Sequence, residues 1–163
     1  MYLHIGHDDD AFYHAQRCLT LARAAGFRTQ EADSLRVLGV VYRRRGDGEQ
    51  ALRHHEEAAT LARAIGDTEV LSETLNALGA THTSAGRHAE ALRCHGDALA
   101  VATEAGHREQ VAHAHAGLGD VHAERGEHDE ARRHWLRVLD FYRDLDVPQA
   151  AEIRAKLENL DGS

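Results

Sequence analysis

The chain has 163 residues, of which 42% are hydrophobic and 28% charged, enough to enclose one core and too polar for a membrane protein. With 19 basic against 27 acidic side chains the net charge is −8, which argues against this chain holding a nucleic-acid backbone directly. No apolar run nears the ~18 residues of a spanning helix, the start MYLHIGHDDD lacks a secretion-signal pattern, and Cys18 and Cys94 form no CxxC pair, so the expected setting is reducing and cytoplasmic.

A 40-residue spacing governs the chain. It relates Gly6, Gly46, Gly86 and Gly126, then Gly39, Gly79 and Gly119, then Gly26, Gly66 and Gly106, which accounts for ten of the 14 glycines. Residues 1–30 enter this pattern part-way through a unit. Tyr2 and Gly6 precede Tyr42 and Gly46 by one period, so residues 1 to 5 read as the end of a first helix and about 8 to 25 as the second. Tyr2, Phe12, Ala15, Leu19 and Leu21 would then lie partly bare, an edge suited to self-association with a second copy unless more chain precedes Met1 in the native protein.

Residues 31–70 form the first full unit. Leu35, Leu38, Val41 and Tyr42 fall at helical spacing, and Leu52, Ala58, Ala59, Leu61, Ala62 and Ile65 continue an apolar face on a second helix. Gly46 closes the first helix and Gly66 the second, as a residue free to take the left-handed conformation does. Gly39, inside the first helix, costs about 1 kcal/mol of helix propensity, and the expected compensation is a close approach answered by the small Ala51 of the second helix. Residues 71–110 and 111–147 repeat the unit, with Gly79, Ala91 and then Gly119, Ala131 in the same places. Pro148 opens a final helix over 148–160, suited to capping a stack of helix pairs.

The run Leu38-Gly39-x-x-Tyr42, followed by Gly46, Ala51 and Ala58, resembles the tetratricopeptide repeat, and recurs as Leu78, Gly79, His82, Gly86, Ala91, Ala98 and as Leu118, Gly119, His122, Gly126, Ala131. Three departures stand out: Leu35, Leu75 and His115 replace the family's Trp, histidines replace Tyr in two repeats, and the period exceeds ~34 residues. The resemblance implies an all-α fold, a right-handed α-solenoid of antiparallel helix pairs. The closing stretch, from Trp135 through Asp144-Leu145-Asp146 and Pro148 to Leu160-Asp161, is similar to the C-terminal end of large actinobacterial transcription regulators, in which DNA-binding and NB-ARC-type ATPase parts precede a tetratricopeptide region.

Chemistry has few footholds. Among 14 histidines, His4 and His7 are the one pair at i,i+3 or i,i+4, and they straddle Gly6; His54/His55 and His113/His115 point apart. Equivalent histidines in successive repeats, His82 with His122 or His55 with His95, would lie roughly 10 Å apart, so no metal and no cofactor is expected. His82 and His122 read as packed at the Tyr42 position and the other histidines as surface, Cys94 as surface and Cys18 as core. No nucleophile motif is present, so no catalytic residue is assigned. Arg43-Arg44-Arg45 ends a helix, where cations are favourable, or else holds a phosphate.

In the repeat family, ligands face the first helices. Carried over, that gives Asp33, Arg36, Val40, Arg43 and Arg44, then Glu73, Asn76, Ala80, Thr83 and Ser84, then His113, Ala116, Asp120, Ala123 and Glu124. The expected groove is basic at one end and acidic at the other. It suits an acidic peptide or protein better than a carboxylate clamp, for which only Asn76 and Arg36 offer a hint. The expectation is a non-enzymatic module that binds a peptide, a protein or upstream domains of the same regulator. A homodimeric scaffold or a histidine-based metal or pH module are the alternatives.

Overall fold

The computed structural model describes residues 5–143 and 148–161; Tyr2, His4 and Asp144 to Asp146 fall outside, as does the side chain of His7. Eight helices follow one another: α1 (Ile5–Ala25), α2 (Arg28–Arg44), α3 (Gly48–Ile65), α4 (Thr68–Ser84), α5 (His88–Ala105), α6 (Arg108–Glu124), α7 (His128–Phe141) and α8 (Pro148–Asp161). Each packs on the next. In addition α2 touches α4 and α4 touches α6, with no comparable contact from α3 to α5 or α5 to α7 among the described residues. The even helices α2, α4 and α6 therefore form the inner, concave wall of an all-helical solenoid.

The turns follow from the glycine lattice, with one correction: Gly6, expected to end a helix, lies inside α1. Gly46 and Gly66 have φ of +81° and +74°, a region costly for residues with a Cβ. There the chain reverses far enough for the N–H of Asp47 to reach the carbonyl of Tyr42, at 2.9 Å, and that of Asp67 to reach Ala62, at 3.0 Å. Both aspartates also start the next helix, accepting from the backbone N–H of Gln50 and Val70 respectively.

The helical spacing places Leu35, Leu38 and Val41 in the core, each contributing about 1.5–3 kcal/mol by leaving water. Alanines complete the seam: Ala51, Ala58 and Ala62 of α3 and Ala91, Ala98 and Ala102 of α5 are fully enclosed. At the far end α8 covers α7 through Ala150 and Ile153, which join Trp135, Val138 and Tyr142 in one cluster.

Three expectations about individual residues are corrected. The close approach at Gly39, Gly79 and Gly119 is answered by rings, not by alanines. His55 lies over Gly39, His95 over both Gly79 and Gly117, and Trp135 over Gly119, so that a Cβ at Gly79 would sit 2.5 Å from His95 Nε2. Second, His55 and His95 are core residues, 0% and 3% exposed, because those glycine gaps receive them. Third, the cysteines exchange roles: Cys94 is buried against the α4–α5 core and Cys18 is exposed. Ala58 and Ala98, in the lattice position of Cys18, are buried on helices with neighbours on both sides, whereas among the described residues α1 packs on α2, with only the exposed Arg23–Glu57 ion pair reaching α3.

Candidate functional site

A cavity of about 620 Å³ opens on the concave wall. From α2 it takes Arg36, Val40 and Arg43; from α4, Glu73, Asn76, Ala80, Thr83 and Ser84; from α6, His113, Ala116 and Asp120. Asp33, Arg44 and Glu124, named from the sequence with these, lie outside its lining, as does Ala123. Ala77, His95, Gln110 and Gly117 line it and were missed.

Apart from Arg43, the charges around the cavity have partners. Arg36 bonds to Asp33 at 2.6 Å and pairs with Glu73 at 3.1 Å. Burial raises the Glu73 carboxyl above its ordinary range, against the opposing pull of Arg36. Asp120 is held on two sides: Lys156 of α8 donates to it at 2.9 Å and the Trp135 indole Nε1–H at 3.0 Å. The expected acidic end is thus largely neutralised by α8, and Glu124 has His88 Nδ1 at 3.6 Å. Arg44 and Arg45 reach the other way, to Asp8 and Asp9 of α1, and Arg45 lies over the Phe12 ring. The arginine triplet therefore splits: two members tie α2 to α1 and Arg43 alone faces the groove.

Arg43 differs from the other charges. Its Nε is buried without a hydrogen-bond acceptor, and no carboxylate pairs with it among the described residues. Burial, and then the charge of Arg44, lower its pKa from the ordinary guanidinium value. A desolvated guanidinium with an open donor is a receptor for an anionic oxygen.

The groove floor is polar and internally satisfied. Asn76 donates through Nδ2 to the carbonyl of Gln110 at 3.2 Å and accepts at Oδ1 from His95 Nδ1–H at 3.2 Å. Because the amide oxygen only accepts, His95 carries its proton on Nδ1. Burial holds the His95 pKa at about 4. Thr83 and Ser84 spend their hydroxyl protons on the carbonyls of Gly79 and Ala80. With both ends of Asn76 engaged, the clamp hinted at by Asn76 and Arg36 has no free amide.

At the N-terminal edge, Phe12 meets the Tyr42 ring edge-on at 5.5 Å and Ala15 is 6% exposed, so these two face α2, and Leu19 is half-buried. The bare apolar residues of α1 are Leu21 and Tyr13, 63% and 55% exposed. No group of three or more histidine, cysteine or acidic side chains is arranged to hold a metal among the described residues.

The sequence matches the tetratricopeptide repeat over residues 1–64 and 70–144, nearly its whole length. The chain belongs to the tetratricopeptide-repeat family. No curated protein matches it. Among solved structures, BtubC (BKLC) from P. vanneervenii is similar with a TM-score of 0.79 at 20% identity, over 94% of this chain and 65% of that one. The tetratricopeptide domain of Arabidopsis FLU gives 0.67 at 21% identity, over 72% and 98%. Aspartyl phosphate phosphatase F from Bacillus subtilis gives 0.76 at 17% identity, over 91% and 42%. The chain thus spans less than two thirds of BtubC and of the phosphatase, and at these identities the likeness concerns the tetratricopeptide fold alone.

Proposed function

We propose that this tetratricopeptide chain is a non-enzymatic module that binds a peptide or protein in its concave groove, with an acidic side chain of the ligand seated against Arg43. The single observation behind this reading is the unpaired Arg43, the groove cation that neither Asp33, Glu73 nor α1 neutralises. Val40, Ala77 and Ala80 beside it leave room for a main chain to approach. The similarity of the closing segment to actinobacterial regulators supports a place as the sensory or regulatory C-terminal part of a bacterial transcription regulator. There, occupancy of the groove would bias which state the parent protein adopts.

Fluorescence anisotropy with a labelled glutamate-rich peptide and its glutamine counterpart tests the groove. The acidic peptide should bind more tightly, and Arg43→Glu should abolish that preference while leaving the melting temperature within a few degrees; equal binding by variant and wild type would remove Arg43 from the account. An ATPase P-loop in the reading frame upstream would support the regulator setting, and its absence would count against it. The bare Leu21 and Tyr13 favour a second reading, a homodimeric scaffold joined through α1. Light scattering over a concentration series decides that reading, since a strict monomer excludes it.

A further inference from the structure

Between α6 and α7 lie three histidines, two of α6 that each touch one of α7. His134 of α7 stands among two rings of α6: the Nδ1 of His115 is 2.9 Å from its own Nδ1, and the ring of His122 stacks on it with planes 7° apart and centroids 5.5 Å apart. All three are half-buried. Two periods earlier, at the α2–α3 pair, Tyr42 and His54 hold the places of His122 and His134, with centroids 5.0 Å apart and planes tilted by 30°, and the place of His115 is taken by Leu35. The last pair therefore has three titratable rings where the first has one histidine, a tyrosine and a leucine.

The bond between two Nδ1 atoms sets a limit on protons. With both rings neutral, one Nδ1–H donates to the lone pair of the other Nδ1. One further proton can enter on the distal nitrogen of the donor ring and leave the bond intact. A second must go to the acceptor Nδ1, which sets N–H against N–H and places two cations side by side.

Among the described residues, the acids facing the trio are already committed; Asp140 of α7, which lines a hollow with His115, Arg108 and Arg137, pairs with Arg143. At the α6–α7 turn, Glu127 bonds to His122 Nδ1 at 2.6 Å and also pairs with Arg125. On α7, Glu130 pairs with Arg133, and Arg137 adds positive charge near His115. Asp120 of α6 is committed to Trp135 and to Lys156 of α8. Burial first, then the neighbouring His115 and His122, hold the pKa of His134 at about 4, and burial lowers that of His115.

We propose that this histidine trio is an acid-operated joint: uptake of the second proton parts α7, with α8 behind it, from α6, and so releases Asp120 at one end of the groove. The effect on ligand binding rests on the groove reading given above; the joint itself does not.

Trp135, the one tryptophan of the chain, adjoins His134 and is 3% exposed, so it reports on this interface. The test follows its emission maximum and acrylamide accessibility from pH 7.5 to 3, beside far-ultraviolet circular dichroism, in the full chain without ligand. The wild type should show a red shift and increased quenching at a higher pH than the loss of helix. His115→Leu, which copies Leu35, should move the fluorescence midpoint down by about one pH unit. If that variant is not helical at pH 7.5, His122→Tyr, which copies the Tyr42–His54 pair, should move it in the same direction. Coincidence of the fluorescence and helix transitions in the wild type, or an unmoved midpoint in the folded variant, overturns the joint. Because no ligand is present, either outcome leaves the Arg43 reading to its own experiment.

Discussion

A methyl group at position 117 would overlap the His95 ring, which is already enclosed by Gly79 from the other side and fixed by Asn76. Two effects of Gly117→Ala oppose each other. Helix propensity alone would stabilise α6 by about 1 kcal/mol, whereas overpacking a filled interior costs about 1–3 kcal/mol. His95 is 3% exposed and has no room to swing out, so the clash should win. Urea denaturation should give a lower midpoint for Gly117→Ala. By contrast, Gly96→Ala, with nothing within 4 Å of its Cβ, should be neutral or stabilising; the reverse order would mean that the ring is not locked. The same cluster shows why some residues were misread from sequence. Histidine reads as a surface type, yet His55 and His95 occupy the lattice place that Trp135 fills in the last pair. The signal was present as a bulky ring recurring every 40 residues opposite a recurring glycine. Seeing it required knowing which face each helix turns to its neighbour.

At the scale of the element, α8 is the helix whose attachment is easiest to loosen. Its buried residues are Ala150 and Ile153, with the half-buried Leu157 and Leu160 packed on the same cluster and Lys156 reaching Asp120. That ion pair is partly exposed, so Lys156→Ala should lower global stability by no more than about 1 kcal/mol. Local protection should fall further: amide exchange across 148–161 should quicken while α2 to α5 are unchanged, and equal protection in variant and wild type would show that the apolar contacts alone hold the helix. From sequence, this helix was legible as a cap by its leading proline and mixed apolar face. Its electrostatic role was not, because Lys156 and Asp120 lie 36 residues apart and nothing local links them. The turns were legible for the opposite reason, since a left-handed residue after each of α1 to α6 is a local demand that glycine meets.

The molecule as a whole is a chain of neighbour contacts, so an acid-sensitive residue in one pair weakens a joint that no distant contact can replace. His55 and His95 sit in consecutive joints, and burial holds both at about 4 against an ordinary value of 6.5. The folded chain therefore resists protons that the unfolded chain accepts. Stability is intact above pH 6.5 and is lost as pH falls toward 4, by up to about 3 kcal/mol for each residue. Urea midpoints at pH 7.5, 6 and 5 should decline in that order, and a flat profile would show that these rings take up protons without opening the fold. The two cysteines bear on the same question from another direction. Cys18 is exposed on α1, Cys94 is enclosed, and the single indole lies on α7, toward the opposite end of the stack. A thiol-directed label would thus attach at one end only, and the native chain is already its own ruler: any lengthening or coiling of the solenoid, by ligand or by acid, alters one optical distance without a single substitution.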